Sequence, residues 1–281
     1  MSLYNRLAVV GDPIAHSLSP AMHNAALRAA GIAGSYQAIQ VSSPELEAQV
    51  RLLRDQEYRG FNVTIPHKER IAACLDQIDA SARIGAVNTV VNQQGALIGY
   101  NTDVAGFCRA LRSLLPDPTG LHAVVLGAGG SALAVVHALQ CERTTVTVVN
   151  RSVARAEHLA SRLSGRITVR RSGPEAAHAV AHADLLVNTT PLGMGNLVAL
   201  SALPDDCQLS SHTAVFDLVY GRITPLLAQA AAAGCPTADG LEMLVQQGAL
   251  SFQLWTGIVP DLTVMREACA RALEVPACSA S

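Results

Sequence analysis

Apolar residues along this chain alternate between two spacings. Short valine-rich runs bounded by glycine or polar residues read as strands, and longer stretches with apolar positions every three or four residues read as helices. In the first hundred residues the strands are predicted at 7–10, 36–41 and 60–63, with helices from Ser19, from Pro44 to Arg54, and after Pro66. Ser19-Pro20 reads as a helix start, with the hydroxyl as N-cap and proline at the first helical position, and Ser43-Pro44-Glu45 repeats it. A helix predicted from Asp103 to Leu115 runs into Pro116-Asp117-Pro118-Thr119-Gly120, a breaker cluster of the kind that separates domains. Beyond it, strands are predicted at 123–126, 144–149, 167–170, 185–188 and 214–217 with helices between, the last from Pro225 to Ala233 and stopped by Gly234. Two apolar helices, Leu241 to Trp255 and Pro260 to Leu273, follow with no strand left to pair, so they are expected to return to the first domain. Their composition equally suits an oligomer interface.

The turn Gly127-Ala128-Gly129-Gly130-Ser131-Ala132 follows the apolar run ending at Leu126. Gly127 allows a tight turn, Gly129 removes a side chain that would block phosphates, and Ala132 stands where helix packs on strand. A pyrophosphate then sits on the helix N-terminus. About 20 residues beyond the glycines, where an NAD site places Asp or Glu on the ribose, this chain has Asn150-Arg151-Ser152 and then Arg155. A carboxylate would repel a 2′-phosphate, whereas guanidinium groups grip one, so the pair argues for NADP in a Rossmann unit. Read alone, the arginines would be two solvated side chains opening a surface helix.

At 281 residues the chain has length for two domains of ordinary size. Half of it is hydrophobic but only 4% is aromatic, which suits helices layered on parallel sheets. A net charge of −2 leaves no electrostatic footprint for nucleic acid or an anionic membrane. Cys74, Cys108, Cys141, Cys207, Cys235, Cys269 and Cys278 are odd in number and form no CxxC pair, which implies a reducing cytoplasm. There is no signal-peptide pattern after Met1, and no apolar stretch approaches roughly 18 residues. His178 and His182 stand at helical spacing but lack a third ligand, so no metal is expected.

Four further segments place small polar groups at strand ends, where open α/β sheets bind ligands: 17–20, 62–68, 85–89 and 100–103. Singly each is a cap or a turn. Together they hold hydroxyls, amides, one amine (Lys68) and one carboxylate (Asp103), an inventory that suits a polyhydroxylated acid. Lys68 suits an anionic or developing alkoxide oxygen, and Asp103 a substrate hydroxyl or the lysine.

In order along the chain, GDPIAHSLSPAMHN, GFNVTIPHK, GAVNT, GYNTD, GAGGSA, NRS, NTTPLGM and LVQQGALSFQLW resemble the shikimate dehydrogenase family over almost the whole sequence. The resemblance implies an N-terminal substrate-binding α/β domain, residues 1–104 with 245–281, and a Rossmann NADP domain, 105–244, with a cleft between them and C-terminal helices returning to the first. It also implies reversible reduction of 3-dehydroshikimate to shikimate. The implied catalytic pair is Lys68 and Asp103, with Ser17 and Ser19 on the substrate carboxylate and Tyr220 near it. Asn62, Thr64, Asn88 and Gln247 would bond the substrate's hydroxyls. Gly127, Ala128, Gly129, Gly130 and Ser131 would take the pyrophosphate. Asn150, Arg151, Ser152 and Arg155 would surround the adenosine phosphate, Asn188 and Thr189 would line the cleft, and Leu218 and Gly240 would lie near the nicotinamide.

Two stretches depart from the family pattern. Gly221-Arg222-Ile223 stands where an Asn-Pro pair is usual, and Gly195-Asn196-Leu197 follows Met194. Related proteins that prefer quinate or an amino analogue, often with NAD, remain an alternative, as does a nucleotide sensor without catalysis. The partners expected are a small-molecule substrate and at most a second copy, as monomer or homodimer, in the cytoplasm.

Overall fold

A computed structural model describes residues 5–163, 167–171, 173–204 and 207–274, so Cys278 lies outside the described residues. Two units make up the chain, Met1–Thr102 with Leu244–Ser281, and Asp103–Met243.

In the first unit β1 (Asn5–Gly11) is buried from Leu7 onward and pairs in parallel with β2 (Gly34–Gln40) and β3 (Gly60–Val63). Three further strands, β4 (Gln77–Ile78), β5 (Thr89–Gln93) and β6 (Ala96–Tyr100), extend the sheet to the order β2-β1-β3-β5-β6-β4 among the described residues. The β5–β6 hairpin turns at Gln94-Gly95, both at positive φ, as a two-residue hairpin requires. The sequence pattern predicts no strand there, since its polar ends at 85–89 and 100–103 mark turns and caps.

The period-two alternation of strand side chains sorts the two faces. Ala8, Val10, Phe61 and Val63 join a core with Leu46, Val50 and Leu53 of α2 (Leu46–Asp55), apolar positions at i, i+4 and i+7. On the other face Gly60 and Asn62 meet α8 (Leu241–Thr256), where the Trp255 indole donates to the Val90 carbonyl at 2.9 Å. A Cβ at Gly60 would stand 2.2 Å from Trp255 Nε1 and 2.4 Å from the Val90 oxygen, so only glycine admits the indole there. Helix α1 (Ser19–Ala29) packs against β2 and α9 (Leu262–Glu274), so the two C-terminal helices serve the first unit as expected.

Three local expectations are corrected. Ser19 is already helical and Leu18 holds the cap position, while the Ser17 hydroxyl accepts from the Ser19 N–H at 3.3 Å. Ahead of α2 stands a 3-10 turn, Ser43–Glu45, capped by Ser42 rather than Ser43 in a reciprocal box with Glu45, and Glu45 holds the cap position of α2 itself. After Pro66 there is a single 3-10 turn, Ile71–Cys74, instead of a helix. The reason is competition for backbone and side-chain bonds. The Lys68 carbonyl accepts from Val87 N–H at 2.8 Å, and buried His67 bonds the Val41 carbonyl through Nε2 at 2.6 Å. These tie the segment to the sheet before a helix can propagate.

The second unit carries α3 (Asp103–Leu114), β7 (His122–Leu126), α4 (Gly130–Cys141), β8 (Thr145–Asn150), α5 (Val153–Ser161) and β9 (Ile167–Arg171). It continues with α6 (Pro174–Ala181), β10 (Leu185–Asn188), β11 (Ala214–Asp217), α7 (Pro225–Ala232) and β12 (Thr237–Ala238). Its sheet is parallel throughout the described residues, in the order β12-β11-β10-β7-β8-β9. That is the doubly wound Rossmann order, whose direction reverses between β7 and β10. Helix α4 buries Leu133, Val135, Val136 and Leu139 as well as three alanines, because it lies between the sheet and α3. No described helix is long and apolar enough to cross a membrane.

Candidate active site

Ligands bind a doubly wound sheet where the strand order reverses, at the carboxyl ends. Here those ends are Leu126 of β7 and Asn188 of β10. The Thr189 hydroxyl donates to the Leu126 carbonyl at 2.7 Å, and a Cβ at Gly127 would stand 2.5 Å from that hydroxyl. Gly127 is therefore required by close approach of the two loops. Gly129 caps α4 with extended backbone, and a Cβ on it would meet no atom. Open space in front of a helix N-terminus is what a pyrophosphate needs. Ala132, fully buried, packs α4 against the sheet.

At the end of β8, Asn150, Arg151, Ser152 and Arg155 line a depression of about 360 Å³. Asn150 Nδ2 donates to the Ser152 carbonyl at 2.9 Å, and the Ser152 hydroxyl caps α5 by accepting from Arg155 N–H at 3.4 Å. Both arginines are exposed, and neither is paired with a carboxylate among the described residues. Two cations left unneutralised beside a phosphate-binding turn are fitted to an additional phosphate. The residues present thus fit NADP.

Asn188 and Asp217 hold the neighbouring loops. Asn188 Nδ2 donates to Asp217 Oδ1 at 2.8 Å, while its Oδ1 accepts from the Thr190 N–H at 2.9 Å and hydroxyl at 2.7 Å. Asp217 also accepts from Val219 N–H and the Thr224 hydroxyl. Burial pushes the Asp217 carboxyl above its ordinary range, opposed by these three donors. This aspartate was not singled out in the sequence, although its place at a strand end was a signal. Leu218 N–H donates to the Asn188 carbonyl at 2.9 Å, and a Cβ at Gly240 would stand 2.1 Å from the Leu218 oxygen. Leu218 and Gly240 are thus held side by side. Tyr220 is half-buried beyond them. Gly221 takes φ +80°, a conformation asparagine also tolerates, so replacing the usual Asn is conformationally mild. Arg222 and Ile223 are exposed. After Met194 the loop closes as a 3-10 turn, Gly195–Leu197.

In the first unit a polar niche lies at one end of the sheet. Asn88, Thr102 and Gln247 are buried together: Asn88 Nδ2 donates to Thr102 Oγ1 at 2.9 Å and to Gln247 Oε1 at 3.2 Å. Asn62 is also buried, but its polar atoms are engaged inside the fold. Its Oδ1 accepts from the Tyr36 hydroxyl at 2.7 Å, and its Nδ2 faces the Asn88 carbonyl, Thr89 and Ser251 at 3.0, 3.0 and 3.1 Å. Thr89 lies in the polar segment 85–89, whereas Tyr36 and Ser251 have no assigned role in the sequence, where only the spacing of Ser251 one helical turn after Gln247 is a signal. Ser17, Thr64 and Lys68 are half-buried and Ser19 is buried. Asp103 is buried at the first turn of α3 and belongs to the second unit.

A parallel sheet in Rossmann order, a glycine turn at its reversal and a free arginine pair beyond the next strand define the class of dinucleotide-binding α/β proteins. Residues 9–90 match the shikimate dehydrogenase substrate binding domain, residues 110–199 the shikimate / quinate 5-dehydrogenase family, and residues 240–269 the shikimate 5'-dehydrogenase C-terminal domain. The chain belongs to the shikimate dehydrogenase family. It is 44% identical to the shikimate dehydrogenase (NADP(+)) of Symbiobacterium thermophilum over 95% of this chain and 94% of that one. The crystal structure of Thermus thermophilus shikimate 5-dehydrogenase in complex with NADP(H) and shikimate is 42% identical, with a TM-score of 0.85 over 95% of this chain and 99% of that one. Quinate dehydrogenase from Corynebacterium glutamicum, in complex with NAD, is 33% identical with a TM-score of 0.86 over 95% of this chain and 99% of that one.

Proposed function

We propose that this chain is an NADP-dependent shikimate dehydrogenase that reversibly reduces 3-dehydroshikimate to shikimate in the cytoplasm, as a monomer or homodimer. The observation that carries the choice within the family is the unpaired couple Arg151 and Arg155 at the end of β8, which suits a 2′-phosphate and leaves a bare ribose without a carboxylate partner.

NADPH supplies a hydride from nicotinamide C4 to the ketone carbon when bound. The chain's own residues hold the reactants and move the proton. Gly127 to Ser131 would hold the pyrophosphate, Gly127 by the turn it permits, since its own N–H donates to the Val149 carbonyl at 2.9 Å, with Asn150, Arg151, Ser152 and Arg155 around the adenosine phosphate. Leu218 and Gly240 would border the nicotinamide, and Asn188 and Thr189 hold the adjoining loop. Ser17 and Ser19 take the substrate carboxylate with Tyr220 near it. Asn62, Thr64, Asn88 and Gln247 belong to the hydroxyl-binding set, Asn62 as its internal anchor. Lys68, an ammonium, donates a proton to the carbonyl oxygen as it gains negative charge, and Asp103 fixes a substrate hydroxyl. In the reverse direction the shikimate hydroxyl proton returns to the lysine.

The deciding experiment follows NADPH absorbance with purified protein and shikimate, then with quinate, and then with NAD in place of NADP. Turnover of shikimate with NADP, at a kcat/KM at least tenfold above the other pairings, is expected. Preferred turnover of quinate with NAD would overturn the reading in favour of the quinate relatives. NADP binding without any turnover would overturn it in favour of a sensor.

A further inference from the structure

Ser251 has no exposed surface, so it cannot touch a bound molecule. Its hydroxyl nevertheless stands among four polar groups from four parts of the first unit. They are Thr89 Oγ1 at 2.7 Å, the Gln247 carbonyl at 3.0 Å, Asn62 Nδ2 at 3.1 Å and Thr102 Oγ1 at 3.2 Å. A serine that only bonds the carbonyl one turn back is common in helices and carries no meaning. Here the other three partners come from β3, from β5 and from the residue before α3.

Counting protons gives the network a direction. A hydroxyl has one proton and two lone pairs. The Gln247 carbonyl only accepts and the Asn62 amide nitrogen only donates, so the Ser251 proton goes to the carbonyl and its lone pairs face the strands. Thr89, closest at 2.7 Å, then donates to Ser251. Its own oxygen accepts from Asn62 Nδ2 at 3.0 Å. With the Thr89 proton committed to Ser251, Asn88 Oδ1 accepts from Thr102, whose N–H stands at 2.8 Å and hydroxyl at 3.2 Å. That choice orients the Asn88 amide, whose nitrogen is thereby directed at Gln247 Oε1. One buried hydroxyl thus couples the strand carrying Asn62 and the loop carrying Asn88 to the helix carrying Gln247.

We propose that Ser251 is a positioning residue for the substrate: it sets the orientation of the Asn88 and Gln247 amides without contacting the substrate itself. This rests on the reading above that those two amides bind substrate hydroxyls. Removing the hydroxyl takes away the shared partner of Thr89, Asn62 and the Gln247 carbonyl, so β3, β5 and α8 lose the anchor that keeps the two amides in register.

The test measures KM and kcat for shikimate and KM for NADP in Ser251→Ala, Gln247→Ala, the double variant, Thr89→Val and Thr89→Ser, with the melting temperature of each. Ser251→Ala is expected to raise KM for shikimate about tenfold, with kcat reduced less and KM for NADP unchanged. Added to Gln247→Ala it should cost less than the tenfold it costs alone, because part of its effect runs through that residue. Thr89→Val, which keeps shape and loses the hydroxyl, should raise KM in the same direction, and Thr89→Ser should restore it. A wild-type KM in Ser251→Ala overturns the proposal. So do full additivity with Gln247→Ala, and a lowered melting temperature with both KM values moving together, which marks a structural role only. If the unaltered protein fails to oxidise shikimate, the functional reading itself falls and takes the positioning role with it, an outcome visible before any variant is made.

Discussion

The charge states and polar contacts of single residues are where this molecule departs most from what residue type alone suggests. His23 is fully buried, its ring stacked 4.3 Å from Tyr36, and burial pushes its pKa down to about 3. The unfolded chain takes up a proton on this histidine below pH 6.5, its ordinary value, whereas the folded chain does so only near 3. Stability from neutral His23 is therefore complete above the ordinary value and is lost as the pH falls from there toward 3. His23→Phe should flatten the fall in melting temperature between neutral and acid pH, and an unchanged slope would contradict the assignment. Lys68→Ala should lower turnover about 10²- to 10⁴-fold, the range for a positioned proton donor, while calorimetric NADP affinity stays near its original value. Arg151→Ala should raise the KM for NADP about tenfold or more and leave that for NAD unchanged. Equal losses with both cofactors would remove Arg151 from phosphate recognition. Asn62 and Asn88 stand out in the sequence as polar residues at strand ends, and Gln247 through the family resemblance alone. Ser251 does not, because its partners Asn62 and Thr89 lie 189 and 162 residues away.

Elements whose pattern is decided by burial were legible; those decided by hydrogen-bond competition were not. β7, buried from Ala123 onward, the fully buried β10, and α8 with its long apolar run follow the sequence pattern closely, because each meets apolar partners. The segment after Pro66 has helix-compatible residues but spends its bonds on Val41 and Val87. Its fate was set by neighbours absent from any local window. The β5–β6 hairpin was hidden for a related reason: Gln94 occupies a left-handed turn position better suited to asparagine or glycine, so the usual turn signal is missing. Where α8 crosses the sheet, Gly60 is the element-level constraint. Gly60→Ala would drive a methyl into the Val90 carbonyl, which cannot yield as a side-chain tip does, and should cost about 1–3 kcal/mol or more in a denaturant titration. A stability within about 0.5 kcal/mol of wild type would show that α8 can lift from the sheet.

Across the molecule, the two units are built differently in sequence. The second is continuous, Asp103–Met243, while the first needs both Met1–Thr102 and the segment from Leu244 onward. Without that return the first unit would lose Trp255 on β5 and α9 against α1, exposing apolar surface it cannot cover alone. Residues 103–243 expressed alone should therefore fold cooperatively and bind NADP, whereas 1–102 alone should aggregate or stay unfolded. A soluble, cooperatively melting 1–102 fragment would contradict this. Alternating strand and helix periods, the glycine turn and the arginines after β8 were sufficient in sequence for the α/β class and the phosphate-binding end, since periodicity and backbone geometry are local properties. What the folded chain added is non-local: the pairing of β5 with β3, the donor set that holds Asp217, and the buried hydroxyl through which Asn62, Asn88 and Gln247 are joined. Those depend on which distant groups arrive within hydrogen-bond reach, and a short-range force leaves no periodic trace along the chain.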